Sequence, residues 1–350
     1  MFFGRGAEVD ELAALVRSPA ERAGGGLLVV VGPSGCGKSS LVRAGLLPVM
    51  AAEPGWGTLP AFLPGADPVG ALARELTGAA RRLGLGWDLE RIRGRLGEEG
   101  LARLAEELLL AAPGGWDRRR LLVAVDQAEE LFTLTPAGER VRFAALLSQG
   151  LDGPAAVVAT LRPEYLAQLL ACPELDALPM RPFPLRPLRP EALASVIEGP
   201  AELAGIDLEK DLVPRLVADT GTGDALPLLA YALAQLADGA GRGDQLSLAR
   251  YEELGGVQGA LVRQADAALG EALAATGRSE EQVLAGLLRL VTVDELGRPA
   301  RWRVPRQELP GPVRGELDAF VARRLVSTDT EDGVVVWGWR TRRSCRPGHR

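Results

Sequence analysis

A glycine-rich pattern near the N-terminus constrains the fold more than any other feature of this sequence. Residues 32–39 read Gly-Pro-Ser-Gly-Cys-Gly-Lys-Ser, a full match to the pattern of glycine, any four residues, glycine, lysine, then serine or threonine. An apolar run over residues 26–31 precedes the pattern, and a helical pattern over residues 41–47 follows it. The sequence therefore predicts a buried strand, a phosphate-binding loop and a helix, in that order.

The residue types of this loop suit phosphate chemistry. Glycines let backbone N–H groups turn toward phosphate oxygens, and the helix N-terminus adds a positive field. We expect Lys38 to contact the β- and γ-phosphates and Ser39 to complete the coordination of Mg²⁺. Only two of the 40 basic residues are lysines, so the lysine at position 38 stands out in a chain that otherwise uses arginine. The predicted nucleotide-binding residues of the loop are Gly32, Pro33, Ser34, Gly35, Cys36, Gly37, Lys38, Ser39 and Ser40.

Two alternatives stay open for the loop at this point. The first is a glycine-rich turn that binds no ligand. The second concerns Cys36, which is either a reactive thiol at a helix N-terminus or a small filler residue.

Acidic residues follow a second apolar run, residues 121–125, which ends at Asp126. A carboxylate at the end of a strand beside the loop can hold Mg²⁺ through water, so Ser39 and Asp126 are the predicted magnesium ligands. Glu129 and Glu130 are candidates for orienting the water that attacks the γ-phosphate. The alternative for both glutamates is a solvated helix start.

A third apolar run, residues 155–160, is followed by Arg162. An arginine there would lie near the γ-phosphate and could distinguish ATP from ADP. The alternative is a surface salt bridge. Lys38, Asp126, Glu129, Glu130 and Arg162 are thus the predicted catalytic residues.

Strands that alternate with helices predict an α/β fold, a parallel sheet with helices on both faces. From residue 183 a proline-rich segment reads as a linker, and only helical patterns follow it up to residue 276. Short β-prone pieces at 302–304 and 334–337 then suit a winged-helix module. The predicted domains are a phosphate-loop NTPase domain (1–185), a helical domain (186–276), a winged-helix-like domain (277–336) and a basic tail (337–350).

Composition excludes several function classes. The single histidine, His349, excludes histidine-based zinc sites and argues against a Ser-His-Asp triad. The formal net charge of −6 argues against a nucleic-acid partner, and the short apolar runs argue against a membrane span. A soluble, cytoplasmic protein is the expectation.

Several segments together resemble the novel STAND NTPases, first subgroup, which are P-loop signal-transduction ATPases often joined to WD-repeat propellers in actinobacterial proteins. The resemblance covers about residues 2–336. The segments that carry it are FFGR (2–5), GPSGCGKSSLVRAGLLP (32–48), DQAEELF (126–132), ATLRPEYL (159–166), EGPAELAGIDLE (198–209), LPLLAYAL (226–233), YEELGGVQGAL (251–261) and RWRVPRQEL (301–309).

The resemblance implies that a P-loop domain, a helical lid and a winged helix close over ATP or ADP with Mg²⁺. It places Phe3, Gly4 and Arg5 near adenine, identifies Arg162 as a sensor arginine, and identifies Pro227 as a lid proline that touches nucleotide; a simple helix start is the alternative for Pro227. Gln127 stands where many related ATPases have a catalytic glutamate, which implies slow hydrolysis. The implied function is a switch within a larger regulatory protein, with protein partners or self-assembly.

The tail departs from this resemblance. Relatives continue after the hairpin with a pattern like VAHEALLPAWP, whereas residues 337–350 hold five arginines and no acidic residue. If the codons from Trp339 onward are read one base out of frame, they can encode that whole peptide. One hypothesis is therefore a frameshift that truncated a longer protein. The alternative is a true basic tail that binds an acidic partner such as a nucleic-acid backbone.

Two other functions remain open at the sequence level. One is a DNA-associated ATPase of the AAA+ or origin-recognition type, which can also carry a winged helix. The other is a truncated remnant without function.

Overall fold

The computed structural model describes residues 2–18, 26–112, 120–176, 178–221, 226–293, 299–301, 304–323, 325–331 and 334–339. The chain divides into two compact units, Met1–Gly205 with Gly221–Leu226, and Ile206–Thr220 with Pro227–Arg350. The predicted domain boundaries stay predictions. Residues 340–350 lie outside the described residues. They make up most of the basic tail and most of the segment to which the frameshift hypothesis applies.

A parallel sheet forms the centre of the first unit. It has five strands among the described residues, and every neighbouring pair is parallel. This confirms the α/β class and the three strands that the apolar runs predict. The strands are β1 (Leu27–Val31), β2 (Trp56–Thr58), β3 (Arg120–Val125), β4 (Ala155–Leu161) and β5 (Met180–Pro184). They lie side by side in the order β2-β3-β4-β1-β5.

The two edge strands, β2 and β5, were not among the predicted strands. The interpretation of the chain from Phe183 onward as linker is wrong for Phe183 and Pro184, which pair with Val30 and Val31 of β1. The physical reason is the position of β5 at the edge of the sheet. A proline cannot donate a ladder hydrogen bond, but an edge strand needs donors on one side only.

Alternating side chains of the strands divide between two hydrophobic cores, one on each face of the sheet. Val29, Val123 and Val157 belong to the first core, whereas Leu28 and Leu122 belong to the second. Full burial of each such side chain contributes on the order of 1.5–3 kcal/mol. Because both faces are covered, the strands read as continuous apolar runs and not as alternating ones.

The helix that follows the phosphate-binding pattern, α2, has an irregular middle. Its stretches Lys38–Ser40 and Leu47–Ala52 are α-helical, and Leu41–Leu46 between them is π-helical. The helices of the first unit are α1 (Gly6–Arg17), α2, α3 (Pro68–Arg82), α4 (Leu89–Glu98), α5 (Gly100–Ala111), α6 (Glu130–Thr133), α7 (Ala137–Asp152), α8 (Leu166–Leu170) and α9 (Pro190–Ala204).

The second unit is mostly helical among its described residues. A core that includes Ala268, Val283, Phe320 and Trp337 joins three of its helices to a three-stranded antiparallel sheet. Helices followed by a small hairpin agree with the sequence pattern, while the winged-helix and lid assignments stay predictions. The elements are β6 (Asp207–Leu208), α10 (Leu212–Thr220), α11 (Leu226–Leu236, whose first residue belongs to the first unit), β7 (Gln245–Leu246), α12 (Leu248–Glu253), α13 (Gly256–Thr276), α14 (Glu280–Leu288), β8 (Val291–Val293), β9 (Pro299–Arg301), β10 (Val304–Pro305), α15 (Gly311–Ala322), β11 (Val326–Glu331) and β12 (Val334–Trp339).

Candidate phosphate-binding site

The glycine-rich loop joins the carboxyl end of β1, an interior strand, to the N-terminus of α2. Gly35 and Gly37 have φ of 84° and 94°, in the left-handed region that residues with a Cβ rarely adopt. At Gly32 a Cβ would lie 2.6 Å from the carbonyl oxygen of Leu185 and 2.8 Å from the Cys36 Sγ. The loop therefore has its glycines where the backbone turns and where it packs closely.

The remaining loop residues differ in exposure. Cys36 is fully buried in the second core, which favours the filler interpretation over a reactive thiol. Pro33 and Ser34 are half-buried, and Ser40 is exposed on the first turn of α2.

Lys38 folds back across the loop that precedes it. Its Nζ donates hydrogen bonds to the backbone carbonyls of Gly32, at 2.7 Å, and Pro33, at 3.0 Å. Burial lowers the pKa of Lys38, and the neighbouring charges include Glu129 and Arg162. Since its hydrogen bonds are to neutral carbonyls, incoming phosphate oxygens can replace them without breaking an ion pair.

Asp126 lies directly beyond β3 and receives hydrogen bonds from several elements. Its Oδ1 accepts from the Ser39 Oγ at 2.8 Å, the Thr160 Oγ1 at 2.7 Å and the Gln127 backbone N–H at 3.1 Å. Its Oδ2 lies 2.9 Å from the Nε of Arg43. The structure thus brings Ser39 and Asp126 together, as the sequence predicts for magnesium ligands.

A magnesium ion fits this pair of residues. Hydroxyl and carboxylate oxygens are the donors that Mg²⁺ prefers, and it usually keeps waters and substrate phosphates as its other ligands. Among the described residues there is no group of three or more His, Cys, Asp or Glu that could hold a metal ion. The protein ligands would therefore be Ser39 and Asp126, with the remaining positions left to nucleotide and water.

Arg162, which follows β4 directly, forms an ion pair with Glu129, which lies in the turn between β3 and α6. The Arg162 Nε lies 2.9 Å from the Glu129 Oε1, and only 8% of the Glu129 side chain is exposed. Within the described part of the chain, the Glu129 Oε2 has no hydrogen-bond partner. Burial raises the pKa of Glu129, against the opposing effect of Arg162. Arg162 thus makes a salt bridge, as its alternative interpretation holds, but with a partly buried side chain, and its role near a γ-phosphate stays a prediction. The burial of Glu129 does not fit a solvated helix start.

Glu130 has a different environment, although it is the next residue. Its Oε2 accepts a hydrogen bond from the backbone N–H of Gly65 at 3.0 Å, and Thr135 donates to the carbonyl of Gly65 at 2.6 Å. Burial raises the pKa of Glu130 too. Its Oε2 anchors the segment that follows β2. Of the two candidate glutamates, Glu129 is the one with a buried carboxylate oxygen that has no hydrogen-bond partner among the described residues.

The N-terminal segment packs against the loop from another direction. The guanidinium of Arg5 is buried and donates to the carbonyls of Cys36, at 2.7 Å, and Arg186, at 2.9 Å. The ring of Phe3 lies against Gly199 of α9, and Gly4 lies against the same helix. Arg5 thus ties the loop to the chain after β5, and the predicted proximity of residues 3–5 to adenine stays a prediction.

The predicted lid proline, Pro227, belongs to the second unit, so its contact with nucleotide also stays a prediction. The residue before it, Leu226, belongs to the first unit. Its Cδ1 lies 3.9 Å from where a Cβ on Gly37 would be.

Two side chains that contact Asp126, those of Arg43 and Thr160, were not predicted from the sequence. Arg43 follows Ser39 by four residues, a spacing that places two side chains on one face of a helix. Thr160 stands two residues before Arg162, where side chains of a strand point to the same face. Both spacings are readable in the sequence, but neither indicates that Asp126 is the common partner.

Replacement of Gly32 by alanine is expected to abolish nucleotide binding and lower the melting temperature. The added methyl group meets the carbonyl oxygen of Leu185 at 2.6 Å, so the loop or the chain after β5 must move. Calorimetric nucleotide titration and thermal unfolding measure the two effects. Gly6→Ala is the control, because nothing lies within 4 Å of its Cβ position. Equal binding by both variants would contradict this prediction.

A family model and several solved structures are similar to this chain. The model of the family described as Novel STAND NTPase 1 matches residues 1–340. None of the curated proteins matches the chain. Within the described ranges, every helix is too short or too polar to span a bilayer.

Several solved structures are similar to this chain at low sequence identity. The ORC1 protein of Aeropyrum pernix, solved in complex with DNA, is 16% identical with a TM-score of 0.54, over 98% of this chain and 91% of that one. A Walker-type ATPase of Pyrococcus abyssi is 16% identical with a TM-score of 0.49, over 95% and 93%. Cdc6p of Pyrobaculum aerophilum is 14% identical with a TM-score of 0.47, over 96% and 89%.

Proposed function

Because this chain belongs to the Novel STAND NTPase 1 family and is a P-loop NTPase, we propose that it is an ATP- and ADP-binding signalling switch with slow hydrolysis. The observation that supports this most is the meeting of three groups at the carboxyl ends of β1, β3 and β4. These groups are Lys38 in its glycine loop, the Ser39–Asp126 pair and the Glu129–Arg162 pair.

Phosphate binding is the first step of the proposed mechanism. The Lys38 ammonium leaves the carbonyls of Gly32 and Pro33 and donates to phosphate oxygens, which are stronger acceptors because they are charged. Backbone N–H groups at the start of α2 supply further donors. Ser39 and Asp126 would hold Mg²⁺, which neutralises phosphate charge when it is bound.

Exchange of ion-pair partners is the proposed switch. A γ-phosphate attracts the guanidinium of Arg162 away from Glu129, and the released carboxylate then orients a water for attack. With ADP there is no γ-phosphate, so the Arg162–Glu129 pair remains closed. The two nucleotides therefore stabilise different arrangements of the same pair, which is what a two-state switch needs.

Slow turnover is expected from the residue that follows Asp126. Gln127 carries an amide, which cannot accept a proton as a carboxylate can. Its φ of 54° is the one positive φ of a non-glycine residue in the described part of the chain, and its N–H donates to the Thr160 Oγ1 at 2.8 Å. Its backbone thus serves to fix the strand ends, and proton removal falls to Glu129.

The test is the nucleotide that purified protein carries. We expect denatured protein to release near-stoichiometric ADP on anion-exchange chromatography, because a closed switch retains its product. Guanine nucleotide in its place would contradict the proposed specificity, and protein that neither retains nor rebinds nucleotide would contradict the function.

A protease digest tests the switch separately from binding. Limited proteolysis in ADP and in a non-hydrolysable ATP analogue should give different cleavage patterns, since exchange of the Glu129–Arg162 pair changes which surface is free for protein partners or self-assembly. Identical patterns with both nucleotides bound would argue for a plain ATPase.

The second candidate is a DNA-associated ATPase, favoured by the fold likeness to ORC1 over 98% of this chain. It predicts DNA binding whose affinity falls steeply with salt, because phosphate contacts release counterions. The net charge of −6 opposes this candidate. Filter binding over a salt series, with hydrolysis measured with and without DNA, separates it from the switch.

A further inference from the structure

Arg43, which was not among the predicted site residues, makes an ion pair with Asp126. Its Nε lies 2.9 Å from the Asp126 Oδ2, and 47% of the Arg43 side chain is exposed against 3% of the Asp126 side chain. Arg43 lies in the π-helical stretch of α2, one turn beyond Ser39. The same helix therefore presents the loop lysine, a magnesium ligand and this arginine.

The two oxygens of Asp126 have separate sets of partners. Oδ1 receives the donors of Ser39, Thr160 and Gln127, and so faces the side where Mg²⁺ would bind. Oδ2 has Arg43 as its partner within the described residues. Arg43 therefore contacts the oxygen that points away from Ser39, and it can stay in place when a metal arrives.

Because Asp126 is buried, its contact with Arg43 helps to determine how its carboxylate is oriented. A carboxylate that is 3% exposed has little water to hold it, so its orientation depends on its hydrogen bonds. Without Arg43, Oδ2 would be left without a donor and the carboxyl group could rotate, which would weaken the position of Oδ1 against Ser39. Lost partners of metal-binding carboxylates typically reduce metal affinity.

We propose that Arg43 is a positioning residue that orients Asp126 for Mg²⁺ and thereby sets the magnesium requirement of nucleotide binding. This inference rests on the nucleotide site of the proposed function and assigns to it a residue in α2. The guanidinium acts through Asp126 and touches neither nucleotide nor metal. Its positive charge repels Mg²⁺, but it is half-exposed and screened, so the orienting effect prevails.

The experiment titrates Mg²⁺ against the binding of a fluorescent ADP analogue to the full chain and to Arg43→Gln. We expect the Mg²⁺ concentration for half-maximal binding to rise about tenfold in the variant. Affinity measured in excess EDTA should stay unchanged, because the phosphate contacts of Lys38 and the loop do not involve Arg43. A merely structural role would weaken binding in both conditions.

Three further variants sharpen the test. Arg43→Lys should restore most of the magnesium response, since an ammonium can donate to Oδ2. In an Asp126→Asn background, Arg43→Gln should change nothing further. Arg93→Gln is the matched control, because Arg93 is 42% exposed and pairs with Asp67 at 2.6 Å, outside the loop and the Asp126 cluster.

The outcomes separate this inference from the function on which it rests. If the parent binds the analogue and Arg43→Gln shows the same or a lower magnesium requirement, Arg43 does not orient Asp126 and the inference is overturned alone. If affinity falls equally with Mg²⁺ and with EDTA, the role is structural and the inference is again overturned. A parent that never binds the analogue would overturn the nucleotide function and this inference together.

Discussion

Lys38→Ala should purify without nucleotide and should bind added ADP or ATP at least about 100-fold more weakly than the parent. The magnitude follows from the hydrogen bonds at stake. Each bond from a charged donor contributes roughly 1.5–3 kcal/mol, and about 1.4 kcal/mol corresponds to a factor of ten in affinity. Two such bonds, one for each carbonyl that Nζ now contacts, account for the predicted loss.

The matched control uses the only other lysine. Lys210 is exposed and belongs to the second unit, so Lys210→Ala should retain nucleotide at the level of the parent. Equilibrium titration with both nucleotides and the chromatographic nucleotide content measure both variants. Since Lys38 is buried, thermal unfolding should accompany these measurements to show that the variant is folded. A folded Lys38→Ala protein that keeps its nucleotide would contradict the placement of phosphates in this loop.

The sequence predicted the interior of the sheet because burial on both faces leaves an unmistakable composition. β1 is apolar throughout, β3 is apolar after Arg120, and β4 is apolar apart from Thr160. Each is followed directly by a residue of the predicted site, namely Gly32, Asp126 or Arg162. The edges were missed for local reasons. β2 has three residues with a glycine in the middle, and β5 contains Pro182 and Pro184, which normally argue against a strand.

Partners within the site depend on tertiary placement, which a single sequence does not state. Glu129 and Glu130 are adjacent and chemically the same, and the sequence left both as candidates. They differ only because one faces Arg162 and the other faces the backbone of Gly65. Arg43 was not predicted for a related reason. The chain has 38 arginines, and the sequence pattern does not distinguish the one at position 43 from the others. Its contact with Asp126 depends on the tertiary fold.

A pH profile tests whether Glu129 acts as the base. Burial raises the pKa of Glu129, and the base form is the ionised one. The value of kcat/KM for ATP should therefore fall as pH decreases through a pKa above that of an exposed glutamate, because this quantity reports ionisations of the free enzyme. The acidic limb should be absent from any residual activity of Glu129→Gln.

Glu129→Gln should lower kcat by about 100-fold or more while nucleotide binding persists, which is the typical effect of removing a general base. The amide can still accept a hydrogen bond from Arg162, so the variant retains the shape of the pair but cannot take a proton from water. Glu130→Gln is its matched control. Its side-chain carbonyl can still accept from the Gly65 N–H, so kcat should stay near that of the parent.

Single-turnover measurement of phosphate release compares the two glutamine variants directly. The reverse pattern, loss in Glu130→Gln and retention in Glu129→Gln, would assign the water to the other glutamate. It would also make the Arg162 pair a structural contact, because a carboxylate that is not needed for hydrolysis has no reason to be released by a γ-phosphate. The proposed exchange of partners therefore depends on Glu129, whose carboxylate both pairs with Arg162 and orients the attacking water. The two glutamine variants test these two roles together.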